Sequence, residues 1–213
     1  MQIVHVSSII AFHYTNLRFF HLIIYCSFSP ALRDRCCTSL SRRNSAQGDY
    51  WWELRACDYY DEFEKPKIIY PNILSKPEFT YDDKGQYTNQ KCFIISLDDK
   101  YLLGLLNSNL VFYLFHKFLP KLRGGYFEPS YVYMKHFPIK EFVPENLLCD
   151  EIIRHVESLL QLNIEKQSSK LESQVEQLQS RIDFHEDKIN QAVYQLYGLT
   201  EDEIQIIEES LKK

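Results

Sequence analysis

Leu171, Val175, Leu178, Ile182, His185, Ile189, Ala192 and Leu196 follow one another at steps of 4, 3, 4, 3, 4, 3 and 4 residues. Side chains spaced this way line one side of a helix, and their apolar stripe must be covered by another part of the chain or by a second chain. The pattern predicts a long helix that ends at Gly198, the residue type best suited to a left-handed C-terminal cap. Thr200-Glu201-Asp202-Glu203 then reads as a capping box that opens a last short helix through Leu211. Upstream, Glu151 to Gln161 predicts an amphipathic helix with Ile152, Ile153, Val156, Leu159 and Leu160 on one stripe. His185 takes a core-type place in the seam. It reads as a register or packing residue, with a switch or a ligand as the alternatives.

Charge divides the 213 residues into three unlike blocks. Residues 1–48 carry a net +4, residues 49–140 carry 0, and residues 141–213 carry -9, which together give the net charge of -5. The chain as a whole is therefore no simple basic nucleic-acid binder, and the acidic tail is poorly suited to lie along phosphates. The first 48 residues contain no Lys and no Glu, whereas the remaining 165 hold 15 Lys and 17 Glu. That contrast marks residues 1–48 as an atypical tract foreign to the domain behind it, a gene-fragment junction or an upstream start, with a weak membrane-associated segment or a genuine amino-terminal strand or helix as the alternatives. Its apolar run is broken by Arg18, His5, His13 and His21, which argues against a membrane span or a signal peptide. The organisation expected is residues 1–48 as this tract, 49–143 as a small mixed α/β domain, and 144–213 as a helical arm. The fold class is α+β, with the coiled-coil-like arm closing in cis or pairing between chains.

Six cysteines show no CxxC and no paired metal-ligand spacing, which predicts free thiols in an intracellular, cytoplasmic chain. In the middle block, Pro66 and Pro71 bracket the β-branched run Lys67-Ile68-Ile69-Tyr70, a short strand. Phe79-Thr80-Tyr81 and Gln86-Tyr87-Thr88, on either side of Asp82-Asp83-Lys84-Gly85, predict a hairpin. Cys92-Phe93-Ile94-Ile95 predicts a buried strand, and Phe137-Pro138-Ile139 is strand-like. Tyr101 to Phe118 predicts a helix, with Asn107-Ser108-Asn109 as an exposed interruption or a break between two helices. After it come Lys117, Lys121, Arg123, Gly124, Gly125, Tyr126, Tyr131, Tyr133 and Lys135. Basic groups can neutralise phosphates, adjacent glycines allow close backbone approach, and tyrosine faces stack on bases. The same residues also fit a solvated loop above core tyrosines.

Self-contained chemistry is hard to build from the remaining residues. No Pro-Pro pair exists, so an Asn-Pro-Pro-Tyr-type amine-binding motif is absent, and neither GxGxxG nor a P-loop occurs. Asp82-Asp83-Lys84 and Asp98-Asp99-Lys100 are similar to half of a metal-nuclease site but read better as turns. Glu62 and Glu64 flank Phe63 as a candidate acid pair, and a half-exposed turn accounts for them equally well. No catalytic residue, cofactor-binding residue or metal ligand is assigned.

Four segments carry a resemblance: Trp51-Trp52-Glu53-Leu54-Arg55-Ala56-Cys57-Asp58-Tyr59-Tyr60, Phe63-Glu64-Lys65-Pro66-Lys67-Ile68-Ile69-Tyr70-Pro71, Leu103-Gly104-Leu105-Leu106-Asn107-Ser108 and Arg123-Gly124-Gly125-Tyr126. Together with the tail from Val193 to Ile204, they resemble the TaqI-like carboxy-terminal specificity domain of adenine-specific DNA methyltransferases, including fused type IIG restriction–modification enzymes. The resemblance covers roughly residues 50–211 and does not extend over Met1–Gly48. It implies a sequence-specific module that reads double-stranded DNA beside a catalytic domain or subunit, which binds S-adenosylmethionine and methylates adenine. It implies that Lys117, Lys121 and Arg123 engage phosphates or a guanine edge, that Gly124 and Gly125 allow close approach, and that Tyr126 stacks or positions the backbone. Lys67 also matches the family's strand, with a DNA-contacting or a structural role. This chain is then expected to be a carboxy-terminal piece that does not methylate by itself. The other reading is a coiled-coil scaffold that self-associates without binding DNA.

Overall fold

The computed structural model describes residues 60–88 and 91–212. The tract 1–48 and the Trp51–Tyr59 part of the resemblance lie outside them.

The run bracketed by prolines becomes the middle strand of a three-stranded antiparallel sheet. After the short helix α1 (Tyr60–Glu64), β1 (Lys67–Pro71) is buried along its first four residues, and it pairs with β2 (Thr80–Asp82) on one side and β3 (Cys92–Ile95) on the other. The register sets Ile68 opposite Tyr81 and Ile95, and Ile69 opposite Thr80 and Ile94. The hairpin expected from Phe79 to Thr88 does not form. Thr80-Tyr81-Asp82 pairs with β1 instead, and Asp82 ends the strand by accepting from the backbone N–H groups of Lys84 (3.1 Å) and Gln86 (2.8 Å). Those bonds curl the chain, and Tyr87 leaves the sheet to stack on Phe63 at 5.1 Å.

The stretch read as one helix from Tyr101 to Phe118 is two helices, α2 (Lys100–Leu106) and α3 (Asn109–Phe118). Side chains at the junction satisfy the backbone in place of the helical ladder. Asn107 accepts from the Phe79 N–H through Oδ1 (3.0 Å) and donates to the Phe79 carbonyl through Nδ2 (2.9 Å). Ser108 caps α3 by accepting from the Val111 N–H. Gly104 in α2 faces α5 (Leu147–Ser168), where a Cβ would lie 2.6 Å from Ile152 Cγ2 and 2.9 Å from Val156 Cγ2. The glycine is a packing requirement: it lets the two helices close on each other.

The short α4 (Tyr131–Met134) follows α3. Phe137-Pro138-Ile139 is not a strand. Proline has no N–H for a ladder, and the segment is held by Tyr197, whose Oη donates to the Pro138 carbonyl at 2.8 Å. The amphipathic helix begins earlier than its periodicity suggests, because Asn146 caps it, and it runs on to Ser168 as α5. A three-residue connection leads into α6 (Glu172–Tyr197), which folds back along α5 and covers the heptad stripe in cis. The stripe is buried at Leu178, Ile182, Ile189 and Ala192, while Leu171 is exposed at the N-cap. Gly198 has φ +66, and α7 (Glu201–Leu211) opens with the complete capping box of Thr200 and Glu203.

One apolar core joins these parts. Ile68 and Ile95 from the sheet, Leu105 and Phe115 from α2 and α3, Ile152 and Val193 from the arm, and Ile207 from α7 belong to a single cluster. Chain beyond residue 144 therefore contributes to the same core as the sheet. The class is α+β, as expected.

Candidate nucleic-acid interface

The basic glycine segment forms a small anchored hairpin at the end of α3. Leu119 leaves the helix in extended conformation, and isolated β-bridges then pair Lys121 and Leu74 with Phe127. Leu74 and Phe127 exchange two backbone hydrogen bonds of 3.1 and 2.8 Å, and the Leu122 N–H donates to the Tyr126 carbonyl at 2.7 Å. Phe127 is the root: it is 2% exposed and its ring packs against His116, Phe115 and Phe112 at centroid distances of 4.9, 6.0 and 6.3 Å. The tip turns through Gly124 (φ +88) and Gly125 (φ +81), a backbone region that side-chain-bearing residues rarely enter. The Tyr126 ring lies over Gly124, where a Cβ would stand 3.4 Å from two ring carbons.

Lys121, Arg123, Gly124, Gly125 and Tyr126 are thus brought onto one hairpin, and all five are exposed. Lys117 is exposed in the last turn of α3, with its Nζ 5.0 Å from the centre of the Tyr113 ring. The two lysines act on a common neighbour: burial holds the His116 imidazole below the usual histidine range, and Lys121 and Lys117 push it lower. A half-buried neutral imidazole therefore sits beneath a cationic rim. Sequence reading did not single out His116, although its place four residues after Phe112 on an amphipathic helix set it toward the core face. Val132 and Tyr133 on α4 and Phe118 on α3 are likewise exposed apolar groups. They follow a helical stripe too short to separate from core positions by pattern.

Lys67 does not join this surface, which corrects its candidacy as a DNA contact. It is fully buried, and its Nζ donates to Asp82 Oδ2 and to the Phe63 carbonyl, both at 2.5 Å. Burial would raise the Asp82 carboxyl, but the bond from Lys67 and the Gln86 and Lys84 N–H groups hold it below the usual carboxylate range. The pair ties β1 to β2 and to the end of α1. The alternation of β1 gave no sign of it, because a lysine directly after a proline at a strand edge is ordinarily exposed.

The acidic candidates are structural as well. Asp98 accepts from the Tyr81 hydroxyl at 2.5 Å, and burial, reinforced by that bond, pushes the phenol up to about 12. Asp99 caps α2 by accepting from the Leu102 N–H at 2.8 Å. Glu62 bonds Lys65 and Ser96, and Glu64 accepts from the Tyr87 hydroxyl. Among the described residues no group of three or more His, Cys, Asp or Glu is arranged to hold a metal ion, and no helix is long and apolar enough to cross a membrane. Gly124 and Gly125 cap an exposed hairpin and do not lead from a strand into a helix N-terminus.

A small α+β unit that shows a cationic, tyrosine-bearing hairpin on a core-anchored root is the class of module defined by this fold and surface. The family model described as TaqI-like C-terminal specificity domain matches residues 37–139, which bears out the resemblance and supports a DNA specificity module; the match begins inside the tract 1–48 that was expected to lie outside the domain, and it stops short of the helical arm. Among solved structures, the chain is similar to one titled as type IIL restriction–modification enzyme MmeI in complex with DNA, with a TM-score of 0.52 and 15% identity. That match covers 64% of this chain and 19% of that one, so the likeness is one of fold over about a fifth of the larger enzyme.

Proposed function

We propose that the chain recognises a specific sequence in double-stranded DNA on behalf of an adenine-specific methyltransferase or restriction–modification system. The catalytic domain, with its S-adenosylmethionine, belongs to a separate part or subunit in the cytoplasm. The observation that carries this reading is the hairpin itself: Lys121, Arg123 and Tyr126 share one exposed tip, with Lys117 beside its root. On this reading the lysines neutralise phosphates, Arg123 donates to a guanine edge, and the Gly124–Gly125 backbone lets the tip approach a groove. The scaffold alternative has less support, since the stripe that an intermolecular coiled coil would use is covered by α5.

A gel-shift titration over rising salt, on duplexes of varied sequence, tests the proposal. Affinity should fall steeply with salt, and Lys117→Gln and Lys121→Gln should each reduce the logarithmic slope by about 1. Arg123→Ala should weaken binding to the preferred duplex by about 1–3 kcal/mol and relax the preference at one base pair. Salt-independent binding, or affinity and preference unchanged in Arg123→Ala, overturns the assignment. Tritium transfer from the cofactor to DNA by the purified chain would contradict the placement of catalysis elsewhere.

A further inference from the structure

His155 on α5 and His185 on α6 meet across the helical hairpin, Nδ1 to Nδ1 at 2.7 Å, with ring centroids 5.0 Å apart. Two ring nitrogens at that distance share one proton: one imidazole carries Nδ1–H and the other presents its lone pair. A bridging zinc does not fit. Nitrogen ligands at about 2.0–2.1 Å would have to subtend about 80° to stand so close, well short of tetrahedral. The far nitrogen of His155 lies 3.7 Å from Glu151 Oε1. A first added proton is therefore accommodated, as a His155 imidazolium between the Glu151 carboxylate and the His185 lone pair. A second proton sets two N–H groups against each other, and the bond is lost.

The surroundings resist that second charge. Burial depresses both imidazoles. His155 is lowered further by His185 and Arg154 and raised by Glu151, and His185 is lowered further by Arg181. Phe184 stands nearly perpendicular to both rings, with Lys188 above its own face. Helix α2, packed against both arm helices, brings Lys100, which is paired with Glu157 at 2.7 Å.

The position of the pair gives it a consequence. On its root side, Ile152, Val156, Ile189 and Val193 belong to the main core. On its tip side, Leu162, Leu178 and Ile182 form a separate cluster, and Leu159 packs against both that cluster and the main core. The geometry points to a proton-operated latch: the His155–His185 bond holds the distal half of the hairpin, from Leu162 to Ile182, and its double protonation frees that half while the core half stays folded. Histidines titrating below their ordinary range leave the opened state binding more protons. Closure is thus complete at neutral pH and is lost as pH falls below about 6.5.

Hydrogen exchange on the full chain between pH 7.5 and 5.0, corrected for intrinsic rates, reads this directly. Protection of amides 162–182 should fall about tenfold per unit of separation between the opened-state and closed-state titrations, while α2 amides keep theirs. His185→Leu, which keeps an apolar side chain in the seam, should make distal protection independent of pH. Flat distal protection in the unaltered chain, an equal slope in His185→Leu, or a parallel loss in α2 overturns the latch. Should His185→Leu fail to fold, nitrogen NMR of the unaltered imidazoles decides: one shared Nδ1 proton and two separated titrations support the latch, and two independent titrations near 6.5 sink it.

Discussion

Lys67→Met separates two roles that the sequence left open for this lysine, because a DNA contact and an internal tie respond to it in opposite ways. Methionine keeps the unbranched stem in the space that Lys67 fills and removes the ammonium. The Asp82 carboxylate would then remain 5% exposed with two backbone N–H groups and no cation at 2.5 Å, and the Phe63 carbonyl would lose its donor. Breaking a buried pair from one side costs about 3–5 kcal/mol. The two N–H groups that Asp82 keeps place the expected loss at the lower end, about 3 kcal/mol. With a urea m-value of about 2 kcal/mol/M, the unfolding midpoint should drop by about 1.5 M at an unchanged slope. Acid sensitivity should move as well. Asp82 is held below the usual range in the folded chain, so its contribution is present above about pH 4 and is lost as pH falls through the folded value. Without Lys67, burial raises the carboxyl and that loss begins at higher pH. Lys67→Met with Asp82→Asn removes the stranded charge and should recover part of the midpoint. A midpoint shift below about 0.3 M, together with weakened DNA binding by fully folded Lys67→Met, would refute the tie and return the lysine to the interface.

Two further substitutions test the packing. Gly104→Ala gains up to about 1 kcal/mol of helix propensity but forces a methyl into contacts of 2.6 and 2.9 Å with Ile152 and Val156. Overpacking of about 1–3 kcal/mol should dominate, so chemical denaturation should show a net loss, and a gain would mean that α2 and α5 can separate freely. Thr200→Ala removes half of the capping box of α7 and should cost about 1 kcal/mol, read by thermal unfolding; an unchanged Tm would show that packing of Ile207 alone holds the helix.

Local rules made much of this fold legible. The 4-3 spacing from Leu178 to Ala192, Gly198 as terminator, the Thr200–Glu203 box and the Pro66–Pro71 bracket all act through neighbouring residues, and each appears where its pattern lies. What was not legible depends on partners far along the chain. Thr80-Tyr81 could pair with Gln86-Tyr87 or with β1, and the choice went to the strand whose buried face had more to gain. The break at Asn107 arises from its bonds to Phe79, 28 residues away. For the candidate site, the hairpin could be read as a cluster because its residues are consecutive. The burial of Lys67 could not, since its partner Asp82 is recognisable only once the β1–β2 register is set. His155 escaped for the same reason: it faces His185 only after the arm folds back.

The proposed interface divides its labour according to how it is built. Its root is fixed by Phe127 and two β-bridges, so the tip is presented with little ordering left to do, and little conformational entropy is lost when it docks. Its charge, in contrast, is modest: Lys117, Lys121 and Arg123 stand on a middle block of net charge 0, joined through a common core to an arm of net charge -9. Three phosphate-scale contacts give weak attachment at physiological salt. A hairpin with a rigid root and few cations is therefore better suited to discriminating between bases than to holding a duplex. On the proposed function, most of the hold on DNA has to come from the catalytic partner, and the chain alone should show a sequence preference larger than its affinity would suggest.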